Sequence, residues 1–229
     1  MSSAPSPLPV QWVVFDLGGV MIRLADGWQA ACARVGVEPG PGFDPARFAE
    51  QVGEVVDACE RNAIDQQEFC LRVGRLAEMD AADVHAVATA WLVGPYPGLD
   101  ALLDELALAG LRTACLSNTN AHHWSLMTST GHAASLPLHR LDRRFASHLV
   151  EARKPEAEIY AHVEDELEVG PERIAFFDDN PPNIQAALSR GWQAVQIDPT
   201  GDPAAQVRQS LAGWGVLRAT KPDADRAAG

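Results

Sequence analysis

The chain has 229 residues, of which 47% are hydrophobic and 21% charged, as is usual for a globular protein with a sizeable core. Its formal net charge of −13 disfavours nucleic acid and anionic membranes as partners, because both select basic surfaces. The four cysteines show no C-x-x-C spacing, so a structural zinc site is not expected.

The two ends of the chain are predicted to be disordered tails. Residues 1–9 are rich in Ser, Pro and Ala, and residues 218–229 are polar and rich in Ala. The first segment has neither the basic nor the apolar region of a signal peptide. No stretch reaches the roughly 18 apolar residues of a membrane helix. We therefore expect a cytoplasmic protein that does not enter the membrane.

Four short apolar segments are predicted to be strands buried on both faces, because none alternates cleanly with polar residues. They are residues 10–15, 111–116, 174–177 and 192–197. Helical patterns separate these strands. The patterns are a leucine face at 99–106 ended by Gly110, a helix from Pro155 to about Leu167, and a helix around Ile184 ended by Gly191. This alternation predicts an α/β fold with a doubly wound parallel sheet.

A long stretch without strand signals separates the first two predicted strands. It holds four helical patterns, at residues 28–35, 48–59, 69–76 and 84–91. Asp44-Pro45 opens the second pattern, and Asp65 with Glu68 forms a capping-box pair at the third. A direct crossover needs far fewer residues. We therefore predict an inserted all-helical cap domain, residues 23–92, on a core domain formed by residues 10–22 and 93–217.

Polar and acidic residues follow three of the predicted strands. Asp16 follows the first strand, Ser117 and Asn118 follow the second, and Asp178-Asp179 follow the third. Ligands of doubly wound sheets bind at the carboxyl ends of the strands, so these residues are expected to converge on one crevice.

The chemistry of these residues favours a phosphate ester as substrate. Two acidic clusters cannot both stay ionised cheaply, and a bound Mg²⁺ would resolve this with oxygen ligands. With the metal present, Asp16 would attack phosphorus and form an aspartyl phosphate that water then hydrolyses. Ser117 and Lys154 would hold the phosphoryl oxygens.

Four segments resemble the motifs of the haloacid dehalogenase-like (HAD) hydrolases of subfamily I, which carry a helical cap. They are VVFDLGGV, CLSNTN, RKPEAEIY and FFDDNPPNIQAA, in the order found in the family. The resemblance covers nearly the whole chain outside the tails. The residue patterns of the third and fourth segments are most similar to those of the bacterial subgroup that includes sugar-1-phosphate phosphatases.

The resemblance implies roles for particular residues. Asp16 would be the nucleophile, Lys154 the lysine of the third motif, and Ser117 a phosphate ligand, with Asn118 as a further substrate-binding candidate. The metal-site residues implied are Asp16, the carbonyl of Gly18 and Asp179, with Asp178 and Asn183 in support. The expected partner is a small phosphate ester, and the protein is expected to be a monomer or a homodimer.

Gly18 departs from the family pattern, since most family phosphatases carry there a second Asp that protonates the leaving group. General acid catalysis contributes about 10²–10⁴-fold in rate. Two alternatives therefore stay open. One is a 2-haloacid dehalogenase, which also lacks this Asp but needs no metal, and the other is a non-catalytic protein that binds a phosphorylated ligand. The Asp178-Asp179 pair favours the metal-dependent phosphatase.

Overall fold

The computed structural model describes residues 10–217. The two predicted tails, 1–9 and 218–229, lie outside the described residues. Within 10–217, none of the helices combines the length and the apolar character that crossing a membrane requires.

A parallel sheet forms the centre of the structure. Its strands are β1 (Trp12–Phe15), β4 (Arg112–Ser117), β5 (Arg143–Ala146), β6 (Ile174–Asp178) and β7 (Gln193–Gln196). They are arranged in the order β5-β4-β1-β6-β7, and every neighbouring pair is parallel. A separate antiparallel pair consists of β2 (Ile22–Leu24) and β3 (Leu92–Pro95).

The helices form two groups along the chain. The first group lies between β2 and β3 and consists of α1 (Trp28–Val35), α2 (Pro45–Glu60), α3 (Gln66–Ala77) and α4 (Ala81–Ala90). The second group consists of α5 (Leu99–Leu108), α6 (Ala121–Thr128), α7 (Ser147–Val150), α8 (Ala157–Leu167), α9 (Pro181–Ser189) and α10 (Pro203–Gly213).

Side chains of β1 alternate between two hydrophobic layers. Val13 and Phe15 belong to a layer that includes residues of α5, α6 and α10. Trp12 and Val14 belong to the opposite layer, with residues of α8 and α9. Since both faces of the sheet are covered, its central strands read as continuous apolar runs. The predicted fold class, a doubly wound parallel sheet with inserted helices, is confirmed.

Helices α1–α4 pack around apolar side chains of their own, and we call them the helical unit. Phe48, Phe69, Val73 and Val84 are among the buried residues of this cluster. The predicted caps form locally, since Asp44 accepts hydrogen bonds at the start of α2 and Asp65 does so at the start of α3. Strands β2 and β3 connect the unit to the sheet, and the predicted domain boundaries pass through this strand pair. The sequence analysis missed both strands, which have three and four residues.

Three local predictions were wrong. Strand β7 lies at an edge of the sheet with half-buried side chains, so it is not buried on both faces. Strand β5, at the other edge, was not predicted because Arg143 and Arg144 are exposed and break the apolar pattern. Pro155 does not start a helix, since α8 begins two residues later at Ala157.

Candidate active site

The candidate site lies at the carboxyl end of β1, where the sheet order reverses. Phe15 pairs with Cys115 of β4 on one side and with Phe177 of β6 on the other. The backbone N–H of Asp16 continues this ladder by donating to the Phe177 carbonyl over 2.8 Å. The register therefore brings Asp16 to the edge at which β4 ends with Ser117 and β6 ends with Asp178.

A buried lysine joins two of the carboxylates. Lys154 Nζ lies 2.9 Å from Asp16 Oδ1 and 2.6 Å from Asp178 Oδ2. Burial disfavours the charged ammonium, but the charges of Asp16 and Asp178 outweigh burial and raise the pKa of Lys154. Lys154 is therefore a fixed positive charge beside the predicted nucleophile.

Asn118 holds the lysine in position. Its side-chain Nδ2 donates to the Lys154 carbonyl, and its Oδ1 accepts from the Lys154 N–H, each over 2.8 Å. The sequence analysis missed this clamp, because it joins residues 36 positions apart. The contact of Asn118 with substrate stays a prediction.

Asp178 is satisfied within the protein. Besides Lys154, its carboxylate accepts from the Asn180 backbone N–H over 2.8 Å and from Asn183 Nδ2 over 3.0 Å. These contacts hold the carboxylate in one orientation. Asp178 and Asn183 thus lie where a supporting role would place them, behind the more accessible Asp179.

Three carboxylates lie close enough together to bind a metal ion. One oxygen each of Asp16, Asp178 and Asp179 falls within 4.8 Å of the others. Burial raises the pKa of Asp16 to about 7, with further contributions from Asp178 and Asp179 that Lys154 partly offsets. When ionised, the three carboxylates and one ammonium leave two negative charges uncompensated. A divalent cation would balance them, and an all-oxygen donor set fits Mg²⁺.

The turn after Asp16 brings the main chain close to the acidic pair. The N–H of Ile22 donates to the Leu17 carbonyl, which closes the turn. Gly19 has φ +69°, and a Cβ there would lie 2.4 Å from Asp179 Oδ2, so the turn requires glycine at this position. Among the hydrogen bonds of residues 10–217, none uses the carbonyl of Gly18.

Two hydroxyl groups and one carboxylate oxygen that is unpaired within residues 10–217 belong to residues that follow or end β1 and β4. Ser117 is buried at the end of β4. Oδ1 of Asp16 accepts from the Leu17 N–H over 2.7 Å, whereas Oδ2 is not used by any hydrogen bond of the described residues. Thr119, which the sequence analysis did not single out, has a buried hydroxyl without a partner in the described range. The position of Thr119, two residues after Ser117 at the end of β4, is the sequence feature that could have indicated it.

A cavity of about 530 Å³ opens from this edge of the sheet. Gly18, Ser117 and Thr119 line one end. The rest is lined by residues of α1–α4 with the segments that connect them, and by core residues that include Ile22 and Met127. The sequence analysis had no signal for this cavity, because the lining side chains have the periodicity of ordinary core residues.

Ion pairs hold α2 against the segment that carries Lys154. Arg153 lies 2.8 Å from Asp57 and 2.7 Å from Glu60, measured between guanidinium nitrogens and carboxylate oxygens. Arg61, directly after α2, binds Glu156 on the other side of Lys154. Most of these side chains are about one-third exposed, so the pairs set geometry more than stability.

Comparison with known proteins identifies the family. The sequence model of a haloacid dehalogenase-like hydrolase matches residues 10–191. The chain belongs to the haloacid dehalogenase-like hydrolase family. The HAD fold expected from the four motifs is therefore confirmed, and the protein is a hydrolase of this family.

The individual relatives of the chain are distant in sequence. A sesquiterpene phosphatase from Aspergillus oryzae is 22% identical over 203 residues, which cover 86% of this chain and 94% of that protein. A HAD family enzyme from Bacteroides thetaiotaomicron superposes with a TM-score of 0.72 at 20% identity, covering 87% of this chain and 99% of that one. The L-2-haloacid dehalogenase of Xanthobacter autotrophicus gives a TM-score of 0.58 at 19% identity, over 92% and 85% of the two chains.

Removing the lysine tests whether the buried charges depend on it. Lys154→Met leaves Asp16 and Asp178 facing each other without a cation, and we expect the free energy of unfolding to fall by about 3–5 kcal/mol. Urea unfolding at pH 8 without divalent cations measures this. Arg75→Met, an exposed change on α3, is the control and should have little effect. If Lys154→Met lowered the free energy of unfolding as little as the control does, the buried carboxylates would not depend on Lys154.

A histidine cluster lies where the helical unit meets α6. The ring of His122 lies 4.5 Å from that of His85 in α4, measured between centroids, and its Nε2 is 2.9 Å from the Thr89 hydroxyl. Burial, followed by the neighbouring histidines His123, His85 and His132, lowers the pKa of His122 to about 4. His122 is therefore neutral in the folded protein at moderately acidic pH.

The neutral His122 predicts a loss of stability in acid. Between pH 6.5 and about 4 the unfolded chain binds a proton at His122 that the folded chain does not, so the free energy of unfolding falls as the pH falls. His122→Leu removes this contribution. The free energy of unfolding, measured with urea between pH 7 and 5, should fall less steeply in the variant, by up to about 1.4 kcal/mol per pH unit. Equal slopes would show that folding does not lower the pKa of His122.

Proposed function

We propose that this protein is a Mg²⁺-dependent hydrolase of small phosphomonoesters that works through an aspartyl phosphate on Asp16. The observation that carries the proposal is the placement of Asp16 Oδ1 on buried Lys154, with Oδ2 free and Asp179 nearby. Residues 23–92 would act as a cap that covers the substrate on the core. The sesquiterpene phosphatase relative and the family match support phosphate ester chemistry.

In the first step, Asp16 Oδ2 attacks phosphorus in line with the ester oxygen. The bond between phosphorus and the ester oxygen breaks as phosphorus becomes bonded to Asp16, and the departing alkoxide takes a proton from water and leaves as the alcohol. Lys154 and the hydroxyl of Ser117 stabilise the charge on the phosphoryl oxygens. In the second step, water attacks phosphorus and releases inorganic phosphate, which restores the Asp16 carboxylate.

Mg²⁺ would be held by Asp16, Asp179 and the Gly18 carbonyl, with Asp178 and Asn183 in support. When bound, the ion neutralises phosphoryl charge as a Lewis acid. The unused Gly18 carbonyl and the excess of negative charge support this assignment. A structure of the Bacteroides thetaiotaomicron enzyme contains magnesium and inorganic phosphate.

Two other functions are the alternatives that the experiment below distinguishes from this proposal. A haloacid dehalogenase would use Asp16 without a metal, and the Asp178-Asp179 pair argues against it. A protein that binds phosphate esters without turnover would explain Gly18. The finer prediction of a sugar-1-phosphate as substrate stays a prediction.

The first experiment is hydrolysis of p-nitrophenyl phosphate by the purified protein with Mg²⁺ and with EDTA. We expect turnover with Mg²⁺ and a loss of at least about 100-fold with EDTA. Asp16→Asn should lower kcat by at least about 1,000-fold without changing the urea midpoint greatly, because the amide cannot act as the nucleophile. Asp26→Asn, an exposed change, is the matched control.

Each outcome of this experiment separates the candidates. Turnover in Asp16→Asn near that of the wild type would rule out the covalent mechanism. Release of halide from 2-chloropropionate without metal would identify a dehalogenase. Binding of inorganic phosphate without hydrolysis of any ester would identify a non-catalytic protein.

Gly18→Asp tests what the missing acid costs. A Cβ at position 18 would lie 3.1 Å from Leu24 Cδ1, a partly exposed side chain that can shift, so the variant should fold. Because Gly18 lines the cavity, the new carboxyl would face the leaving alcohol. We expect kcat/KM for an alkyl phosphate to rise at least about tenfold relative to p-nitrophenyl phosphate, whose leaving group needs little protonation. Gly18→Asn is the control, and an equal effect of both variants would contradict an acid role.

A further inference from the structure

The cavity next to the proposed phosphoryl site differs sharply between its two ends. The end at the sheet carries the polar side chains of Ser117, Asn118 and Thr119, beside apolar core residues such as Met127. The end at the helical unit is walled by large apolar side chains. They include Trp28, Phe43, Phe48, Val52, Phe69 and Trp91. A ligand that fills the cavity must therefore carry its charge at one end and apolar surface at the other.

The aromatic wall is packed and has a defined shape. The ring of Phe48 lies 5.0 Å from that of Trp28 and 5.3 Å from that of Phe43, measured between centroids. Contacts at these distances and angles are typical of aromatic clusters in protein cores. These three side chains, which pack against the core of the helical unit, also line the cavity of about 530 Å³. An apolar cavity of this size beside a polar site is the usual form of a ligand site.

Few polar side chains could serve hydroxyl groups at the apolar end. In residues 10–217 the helical unit lines the cavity with three polar side-chain groups, the Gln29 amide, the Glu60 carboxylate and the Trp28 indole N–H. Glu60 is paired with Arg153 at 2.7 Å. His123, at the border, already has its Nε2 2.8 Å from the Ala88 carbonyl. The Trp28 indole N–H has no hydrogen-bond partner among the described residues, so it could serve one hydroxyl. A sugar has several hydroxyls and would lose more hydrogen bonds to water than these few groups could replace.

We propose that the alcohol of the substrate is a long aliphatic chain, held between the sheet and the helical unit, rather than a sugar. This inference rests on the proposed function, since the phosphate of the ester would lie at Asp16 and Lys154. The cavity of about 530 Å³ is many times the roughly 30 Å³ that one water molecule occupies in the liquid, so it has room for a chain of several carbons.

A series of n-alkylphosphonates measures this preference without relying on turnover. Titration calorimetry with Mg²⁺ would give the affinities of ethyl-, butyl-, hexyl- and decylphosphonate below their micellar concentrations. Each methylene buried in the cavity strengthens binding by up to about fourfold. We expect decylphosphonate to bind at least about 30-fold more tightly than butylphosphonate. The phosphonate analogue of glucose 1-phosphate should bind more weakly than hexylphosphonate.

Two variants that obstruct the cavity test whether the alkyl chain of the ligand binds there. Val52→Trp and Ala49→Trp each add an indole to the lining, and Ala49 is exposed enough to tolerate the change. We expect both to weaken decylphosphonate binding at least about tenfold, with a loss that grows with chain length. Gln51→Trp, on an exposed position of the same helix outside the lining, is the matched control and should bind like the wild type. Circular dichroism melting shows that each variant is folded.

The outcomes separate this inference from the proposed function. Turnover of p-nitrophenyl phosphate without any gain in affinity along the alkyl series would overturn the inference and leave the phosphatase in place. Tighter binding of the sugar phosphonate than of decylphosphonate would also overturn it. Affinity that rises with chain length in a protein without turnover would support the inference as a ligand preference and overturn the phosphatase.

Discussion

The ion pairs between buried Lys154 and the carboxylates of Asp16 and Asp178 are the interaction on which the rest of the site depends. Three separate segments of the chain meet at this one ammonium, and none of the three charges is well solvated. Removing Lys154 would leave two buried carboxylates facing each other without a cation. The same arrangement holds Oδ1 of Asp16 and leaves Oδ2 free, so a structural contact also orients the proposed nucleophile. Asn118 adds to this by fixing the backbone of the lysine through both amide atoms.

The sheet and the helical unit contribute different properties to the ligand site. The strand ends supply charge and hydrogen-bonding groups at positions set by the backbone register. The helices supply an apolar wall that places few polar side chains on the ligand. The ion pairs of Asp57 and Glu60 with Arg153 join the two parts next to Lys154. The proposed chemistry and the proposed selectivity therefore lie on separate elements, and either can be changed without rebuilding the other.

The two glycines after the nucleophile have different physical origins. Gly19 is required by the fold, because its φ is +69° and a Cβ would overlap Asp179. Gly18 is not required in this way, since a Cβ there would meet the flexible end of Leu24 alone within 4 Å among the described residues. The fold could therefore accommodate an acid at position 18. The backbone therefore does not explain why glycine occupies position 18.

The sequence by itself determined the parallel sheet, the inserted helices and the identity of the residues at the strand ends, because buried strands and amphipathic helices leave local patterns of period and polarity. Asp16, Ser117 and Asp178 could be predicted to meet, since parallel strands end at one edge. Strands β2, β3 and β5 could not be predicted, being short or polar at a sheet edge. The apolar cavity was decided by tertiary structure alone. The periodicity of Trp28 or Phe48 shows that each side chain avoids water, but the distance between helices and sheet decides whether it faces protein or a ligand.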